Sequence, residues 1–295
     1  MWNRPWHLAE GFVISCGLIA TGLILQLIVG KVNWPIFQWP INIIAMACLI
    51  VIIGGLSLAR KKSHTIQFIS SSAAAVPAIV CAALMTVVLG LTRQQDNGTW
   101  LGDMLAFWPF VLVYTYIVVI LGLVIVRRIC QFGKWRRDLP FVLNHLGLFI
   151  AISTATLGNA DIQKARMVAY LDFPTNVVIN NNGQETLLPI AIQLEKFTME
   201  VYNDGSPKRF ASDVTIYNQK TNRKHKTTID VNHPAEVDGW KIYQYGYDQQ
   251  RGALSQYSIF ELVRDPWQPA VYAGIYMMIA GALLLLLNNK GKASL

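Results

Sequence analysis

Apolar runs of nearly constant length alternate with short polar stretches along this chain until residue 158, where the pattern changes. Residues 11–30, 41–59, 73–91, 107–126 and 139–157 are apolar stretches long enough to cross a bilayer as helices, and 270–287 is a sixth. The first differs from a cleavable leader, because Ile28-Val29-Gly30-Lys31 offers no small-x-small cleavage site, so a retained helix is expected.

Between the fifth and sixth spans lies the long polar region, 158–267. Its apolar positions alternate with period two in Ile190-Ala191-Ile192-Gln193-Leu194 and again in Phe197-Thr198-Met199-Glu200-Val201. Further strands are predicted over 210–217, 224–231, 240–247 and 257–263, with Asn203-Asp204-Gly205 as a turn and Asn180-Asn181-Asn182-Gly183 as a loop. Residues 159–170 are expected to form a short helix. The predicted fold is a polytopic α-helical membrane protein with six transmembrane helices. One extracytoplasmic, mostly antiparallel β domain, a sandwich or partial barrel, lies between helices five and six. The expected divisions are 1–157, 158–267 and 268–295.

Composition agrees with the membrane reading. Hydrophobic residues make up 53% of the chain and charged residues only 14%, against about 25% in a soluble domain. The net charge of +8 is concentrated beside the apolar runs, at Arg60-Lys61-Lys62, Arg127-Arg128, Lys134 with Arg136-Arg137, and Lys290 with Lys292. That distribution argues for membrane lipid and against nucleic acid. The loops after spans two and four hold three and five basic residues, those after spans one and three one each. The positive-inside rule then puts both termini in the cytoplasm and 158–267 outside.

The four cysteines, Cys16, Cys48, Cys81 and Cys130, all lie outside the polar region, so no disulfide framework is expected there. The chain has no Cys-x-x-Cys, phosphate loop, His-Glu-x-x-His helix or Gly-x-Ser-x-Gly elbow. Its acidic residues are scattered at turns. His145, in Asn144-His145-Leu146-Gly147, is the informative residue. An imidazole within a span marks either a ligand site, with haem iron the natural metal, or a hydrogen bond between helices. His7 sits just before the first span and His233 in the turn Asn232-His233-Pro234; both are weaker ligand candidates. His64 and His225 belong to basic stretches and are expected to be solvated. Trp34, Trp39, Trp100 and Trp108 form either an interfacial aromatic belt or a shelf for a flat ligand.

One set of residues resembles a known family. Val231-Asn232-His233-Pro234 is followed by Gly239-Trp240-Lys241-Ile242-Tyr243-Gln244-Tyr245-Gly246-Tyr247-Asp248, and then by Arg264-Asp265-Pro266 running into the last span. Upstream stand Gly158-Asn159-Ala160-Asp161, Phe197, Tyr202, Asp204-Gly205, Pro207-Lys208 and Ser212-Asp213-Val214. Over 139–287 this ordered set resembles the ResB (CcsB) family of System II cytochrome c biogenesis. The resemblance implies a haem-delivery complex in which a CcsA (ResC) partner supplies a tryptophan-rich haem-handling loop. Haem b crosses the membrane, is kept reduced and is presented to the Cys-x-x-Cys-His of an apocytochrome c. It also implies that His145 ligates haem in transit, and that this chain is an accessory subunit and not a catalyst by itself. Five spans before a compact outer domain depart from the family's usual arrangement, and the partner's tryptophan signature is absent, so a separate partner is expected. Two other readings are a membrane-anchored scaffold or sensor, whose outer domain binds a protein or small ligand, and a solute transporter. The transporter is disfavoured by the scarcity of polar groups in the spans.

Overall fold

The computed structural model describes residues 2–94, 100–180, 183–204 and 206–290. Gln95 and Asp96 of the third loop, Asn181 and Asn182 of the expected Asn-rich loop, Gly205 of the expected turn and Lys292 of the tail lie outside them. The chain divides into two compact units: a helical one, running to Asp161 and resuming at Trp267, and a sheet comprising Ile162–Pro266.

In the helical unit, six helices among the described residues are long and apolar enough to cross a membrane, and the protein is a multi-pass membrane protein. They are α1 (Leu8–Val29), α2 (Ile41–Ala59), α4 (Ser72–Leu91), α5 (Trp108–Cys130), α6 (Trp135–Gly158) and α7 (Gln268–Lys290). A six-residue helix, α3 (His64–Ile69), was not predicted; Ser63 caps it by accepting from Ile66 N.

Apolar side chains cannot drive helices together inside lipid, so contact depends on how closely the backbones approach. The buried stripe of α1 is small or polar: Gly11, Ser15, Gly22 and Gln26. A Cβ at Gly11 would strike the Ala73 carbonyl, and one at Gly22 would meet Pro109 at 2.5 Å. Helices α6 and α7 form the most extensive pair. A Cβ at Gly147 would lie 2.5 Å from the Gly274 carbonyl, one at Gly274 2.5 Å from the Gly147 carbonyl, and one at Gly281 2.5 Å from Asn144 Nδ2. Asn288 closes one end of the pair by donating to the Arg136 carbonyl at 2.6 Å.

The other unit is a single eight-stranded antiparallel sheet of order β5-β4-β3-β2-β1-β8-β7-β6. Its strands are β1 (Gln163–Tyr170), β2 (Thr175–Asn180), β3 (Glu185–Val201), β4 (Pro207–Asn218), β5 (Arg223–Asp230), β6 (Ala235–Val237), β7 (Trp240–Tyr247) and β8 (Tyr257–Arg264). Of the expected sandwich or partial barrel, the two-sheet sandwich is not formed: the sheet is one continuous surface, and with β5 and β6 left as edges it is not a closed barrel. It curls: Ser212 on β4 donates to Gln244 Oε1 on β7 at 2.7 Å and lies 2.7 Å from Ser258 Oγ on β8. The core inside the curl includes Met167, Ile192, Leu194, Ile216, Ile242, Phe260 and Leu262.

The expected helix over 159–170 is corrected. Only Asn159–Asp161 is a 3-10 turn, and β1 follows. Lys164, Ala165, Arg166 and Met167 are good helix formers, but Ala165, Met167 and Ala169 alternate into the core. All eight residues of β1 pair with β8, from Gln163↔Arg264 to Tyr170↔Tyr257. The two alternating stretches of β3 are one strand whose phase slips at Glu195. Ile190, Ile192 and Leu194 face the core, then Phe197 does, and the pairing with β4 shifts between Leu194 and Lys196. Strand β6, which lies outside the predicted strands, is joined to β7 by Asp238-Gly239 at φ 52° and 78°, the turn that Asp-Gly specifies.

On the β4–β5 face, Arg209 donates to Asp230 Oδ2 at 2.6 Å and to Glu200 Oε1 at 3.3 Å, while Lys208 Nζ lies 3.3 Å from Glu200. Hydrogen bonds from Lys208 and Arg209 hold the Glu200 carboxyl below its usual range. Burial pushes Asp230 up, but the Arg209 bond and the Val231 N–H outweigh it and the net shift is downward. Carboxylates with lowered folded pKa values contribute stability above their unfolded pKa of about 4 and lose it as pH falls through the folded value. Hydrogen exchange over β4 and β5 of the full chain, corrected for intrinsic rate, should therefore quicken below about pH 4. Arg209→Met should flatten that response; an unchanged profile would remove the network as its source.

Candidate functional site: the His145 corner

Helix α6 starts four residues earlier than its apolar run, at Trp135, so His145 is its eleventh residue and stands near mid-helix. Its ring is half-buried and stacks on Phe141, with centroids 3.8 Å apart and planes at 18°. Nδ1 lies 2.9 Å from the Phe141 carbonyl oxygen. A carbonyl only accepts, so Nδ1 carries the proton and Nε2 bears the lone pair. Nε2 has no hydrogen-bond partner among the described residues. A histidine whose tautomer is fixed by a backbone carbonyl and whose other nitrogen is free is arranged as a metal ligand commonly is. The hydrogen bond it makes is within its own helix, so a bond between helices does not account for it.

Across the Phe141 ring lies Arg128 of α5, its guanidinium carbon 4.7 Å from the ring centroid. Arg128 is fixed in turn by Asp138, which is fully buried. Arg128 Nε lies 3.1 Å from Asp138 Oδ1, an ion pair whose N–H is not aimed for a hydrogen bond. Asp138 also accepts from Arg137 Nε at 2.8 Å and from the amides of Gly133 at 2.9 Å and Lys134 at 2.8 Å. One carboxylate thus shapes the α5–α6 turn and orients the cation that covers the Phe141–His145 stack. Sequence reading missed Asp138, although an acid among Arg136, Arg137 and an apolar run was a visible signal.

The other histidines are elsewhere. His7 is exposed at the N-cap of α1, where its amide donates to Glu10 Oε2 at 2.8 Å. Helix α1 packs chiefly on α4 and α5, and α6 chiefly on α7 and α5, so His7 and His145 do not sit on a main helix pair. His233 is exposed in the sheet unit, its backbone bridging to Asp230. His64, expected to be solvated, is half-buried and edge-on to Trp6 at 5.1 Å. Among the described residues no group of three or more His, Cys, Asp or Glu could hold a metal ion.

At the opposite end of α6 the Gly158-Asn159-Ala160-Asp161 motif acquires a physical reason. The Asp161 carboxylate accepts from Trp39 N at 2.8 Å, Asn42 Nδ2 at 2.7 Å and Trp267 Nε1 at 2.7 Å. It therefore ties the start of α2 and the start of α7 to the end of α6. Gly158 is required because a Cβ there would collide with the Trp267 ring. The four tryptophans divide: Trp39 and Trp100 are exposed, while Trp34 and Trp108 line a cavity of about 490 Å³ between α2, α5 and α6.

Residues 131–256 match the ResB-like family, a stretch holding α6 with His145 and strands β1 to β7. The chain is 29% identical over 103 residues to the cytochrome c biogenesis protein CcsB of Prochlorococcus marinus subsp. pastoris, covering 35% of this chain and 23% of that one. It is 25% identical over 142 residues to the cytochrome c biogenesis protein Ccs1 of Thalassiosira pseudonana, covering 45% and 34%. The match thus spans about a quarter to a third of these curated relatives. Among solved structures, the cytochrome c haem lyase CcmF superposes over 96% of this chain and 46% of its own at 10% identity, with a TM-score of 0.40, too loose to carry an argument. By the family match and the two relatives, the chain is similar to ResB/CcsB-like proteins of cytochrome c biogenesis over this stretch.

Proposed function

We propose that this chain is a ResB-like subunit of a cytochrome c assembly complex, in which His145 holds haem b on its way to an apocytochrome c. The observation that carries the proposal is the His145 tautomer: Nδ1–H is committed to the Phe141 carbonyl, and Nε2 is left to donate its lone pair. The matched segment includes this residue. Haem, as cargo, supplies an iron that takes axial imidazole. The chain's residues do the holding: Phe141 supports the imidazole face, and Arg128 behind it places a positive charge beside an apolar site. With no second histidine on the helices that pack chiefly with α6, the opposite axial ligand would come from a CcsA-like partner. The basic ends of α2 and α5 favour a cytoplasmic position for both termini in a bacterial plasma membrane. The sheet then lies outside, where it would dock the partner, the apocytochrome or both.

The test is purification in detergent, alone and with a CcsA-like partner, with a Soret spectrum of each. Haem is expected in the complex, and His145→Ala should lower its occupancy about tenfold or more without loss of protein, as removal of a ligand bond worth a few kcal/mol requires. Imidazole added to His145→Gly should restore part of it. Unchanged occupancy in His145→Ala removes the residue from the site. Absence of haem from both preparations, with normal cytochrome c maturation in a deletion strain, overturns the function.

A further inference from the structure

The two edges of the curled sheet differ. Strand β6 is three residues long, and so short an edge offers little to pair with. Strand β5 is eight residues long and pairs with β4 without a register shift, from Ala211↔Asp230 to Asn218↔Arg223. One bridge shows which of its backbone groups face outward. Asp230 N donates to the His233 carbonyl at 3.2 Å, and His233 N donates to the Asp230 carbonyl at 3.1 Å. The N–H and C=O of Asp230 therefore point away from β4. Antiparallel pairing alternates residue by residue, so those of Thr228, Lys226 and Lys224 point the same way, while Ile229, Thr227, His225 and Arg223 direct theirs to β4. His233 thus lies where a ninth strand would start, and at Pro234 the chain leaves to form β6 against β7. The Val231-Asn232-His233-Pro234 motif supplies one rung and no more. Among the described residues, the outward backbone groups of Lys224, Lys226 and Thr228 have no partner, and all three residues are exposed.

Charge gives the class of partner. Lys220, Arg223, Lys224 and Lys226 are gathered at this end of the β4–β5 hairpin and are all exposed. Among the described residues none of the four forms an ion pair, whereas Lys208 and Arg209 of β4 are matched by Glu200 and Asp230. Lys224 is held over the Tyr217 ring, 5.0 Å from its centroid. Side chains alternate across a strand, so Lys224 and Lys226 flank one face of the edge and Arg223 the other. Lysines on an edge turn away neutral or basic strands, a second β5 included. The same row attracts an acidic strand, because opposite charges side by side on neighbouring strands stabilise the pair. A lipid headgroup would meet the charges and leave the backbone groups unused. We infer that β5 is a docking edge for an extended acidic segment of a partner protein, which adds to the sheet as a ninth strand along Lys224, Lys226 and Thr228. This names the edge and the partner's chemistry for the docking role proposed above and rests on that role. Binding at β5 is read without haem, so the two can fail separately.

Fluorescence anisotropy of the full chain in detergent, with a labelled peptide of alternating glutamate and threonine, tests this. At low salt the peptide is expected to bind with a Kd below about 1 mM. N-methylation of alternate peptide amides removes strand hydrogen bonds and keeps every charge. Placed along one edge of the peptide it should weaken binding about tenfold or more, and along the other edge about twofold or less. That comparison needs no variant of the protein. Lys224→Glu combined with Lys226→Glu should also weaken binding about tenfold or more, with circular dichroism unchanged. Bound peptide should slow hydrogen exchange at the amides of Lys224, Lys226 and Thr228 and leave His225 and Thr227 as they were. N-methylation without effect on either edge, equal binding by the double variant, or no binding up to about 1 mM overturns the proposal. Displacement of the peptide by phosphatidylglycerol added to the micelles, with N-methylation neutral, assigns the cations to anionic lipid and overturns it as well.

Discussion

Asp138→Ala is expected to lower the unfolding free energy of the helical unit by about 3–5 kcal/mol, the range for removing one partner of a buried ion pair. The carboxylate is fully buried, accepts from Arg137 and the Gly133 and Lys134 amides and is ion-paired with Arg128, so its loss leaves Arg128 without its counter-ion and the two amides without an acceptor. Asp138→Asn keeps the shape and one acceptor oxygen and should cost roughly half as much. Denaturant unfolding in mixed micelles, followed by helical circular dichroism, measures both. Because Arg128 also covers Phe141, the variants should loosen the His145 ring, and haem occupancy in the complex should fall before the fold is lost. Equal stability of wild type and alanine variant would show that the turn draws its order from elsewhere.

Gly147→Leu is the second large effect. The first atom it adds lies 2.5 Å from the Gly274 carbonyl oxygen and 3.0 Å from Met277 Cβ and Met278 Cγ, so helix backbones must separate. Overpacking of this kind costs about 1–3 kcal/mol where side chains can move aside, and more where the obstacle is backbone. A loss of at least about 3 kcal/mol is expected, with Gly147→Ala intermediate. The check is the same unfolding measurement, with a cysteine cross-link between α6 and α7 reporting separation. A neutral Gly147→Leu would mean that α7 shifts along α6 without penalty.

The sequence made some of this legible. Unbroken apolar runs revealed the six spans, because lipid demands them, and His145 stood out because an imidazole in such a run needs a reason. Two alternating stretches in β3 were visible, with the slip at Glu195 between them. Misreadings arose where a local preference lost to a distant partner. Residues 164–167 favour helix, yet β8 holds them extended along its whole length. Asp238-Gly239 carries a hairpin signal, but β6 is only three residues long and too short to show a period-two pattern. The cluster on Asp161 joins residues 39, 42, 161 and 267, a relation that no local pattern contains.

The pairing of β1 with β8 has a consequence for how the chain can change. The sheet begins and ends on adjacent strands, with Gln163 opposite Arg264, and the helices that precede and follow it pack together through their glycines. Paired residues of antiparallel strands lie about 5 Å apart, so a connector of two or three residues would bridge what the whole sheet now bridges. The sheet is therefore a cassette in a helical hairpin. It can be enlarged, exchanged or removed while the α6–α7 contact stays intact, which uncouples change in the sheet from change in the helix that carries His145.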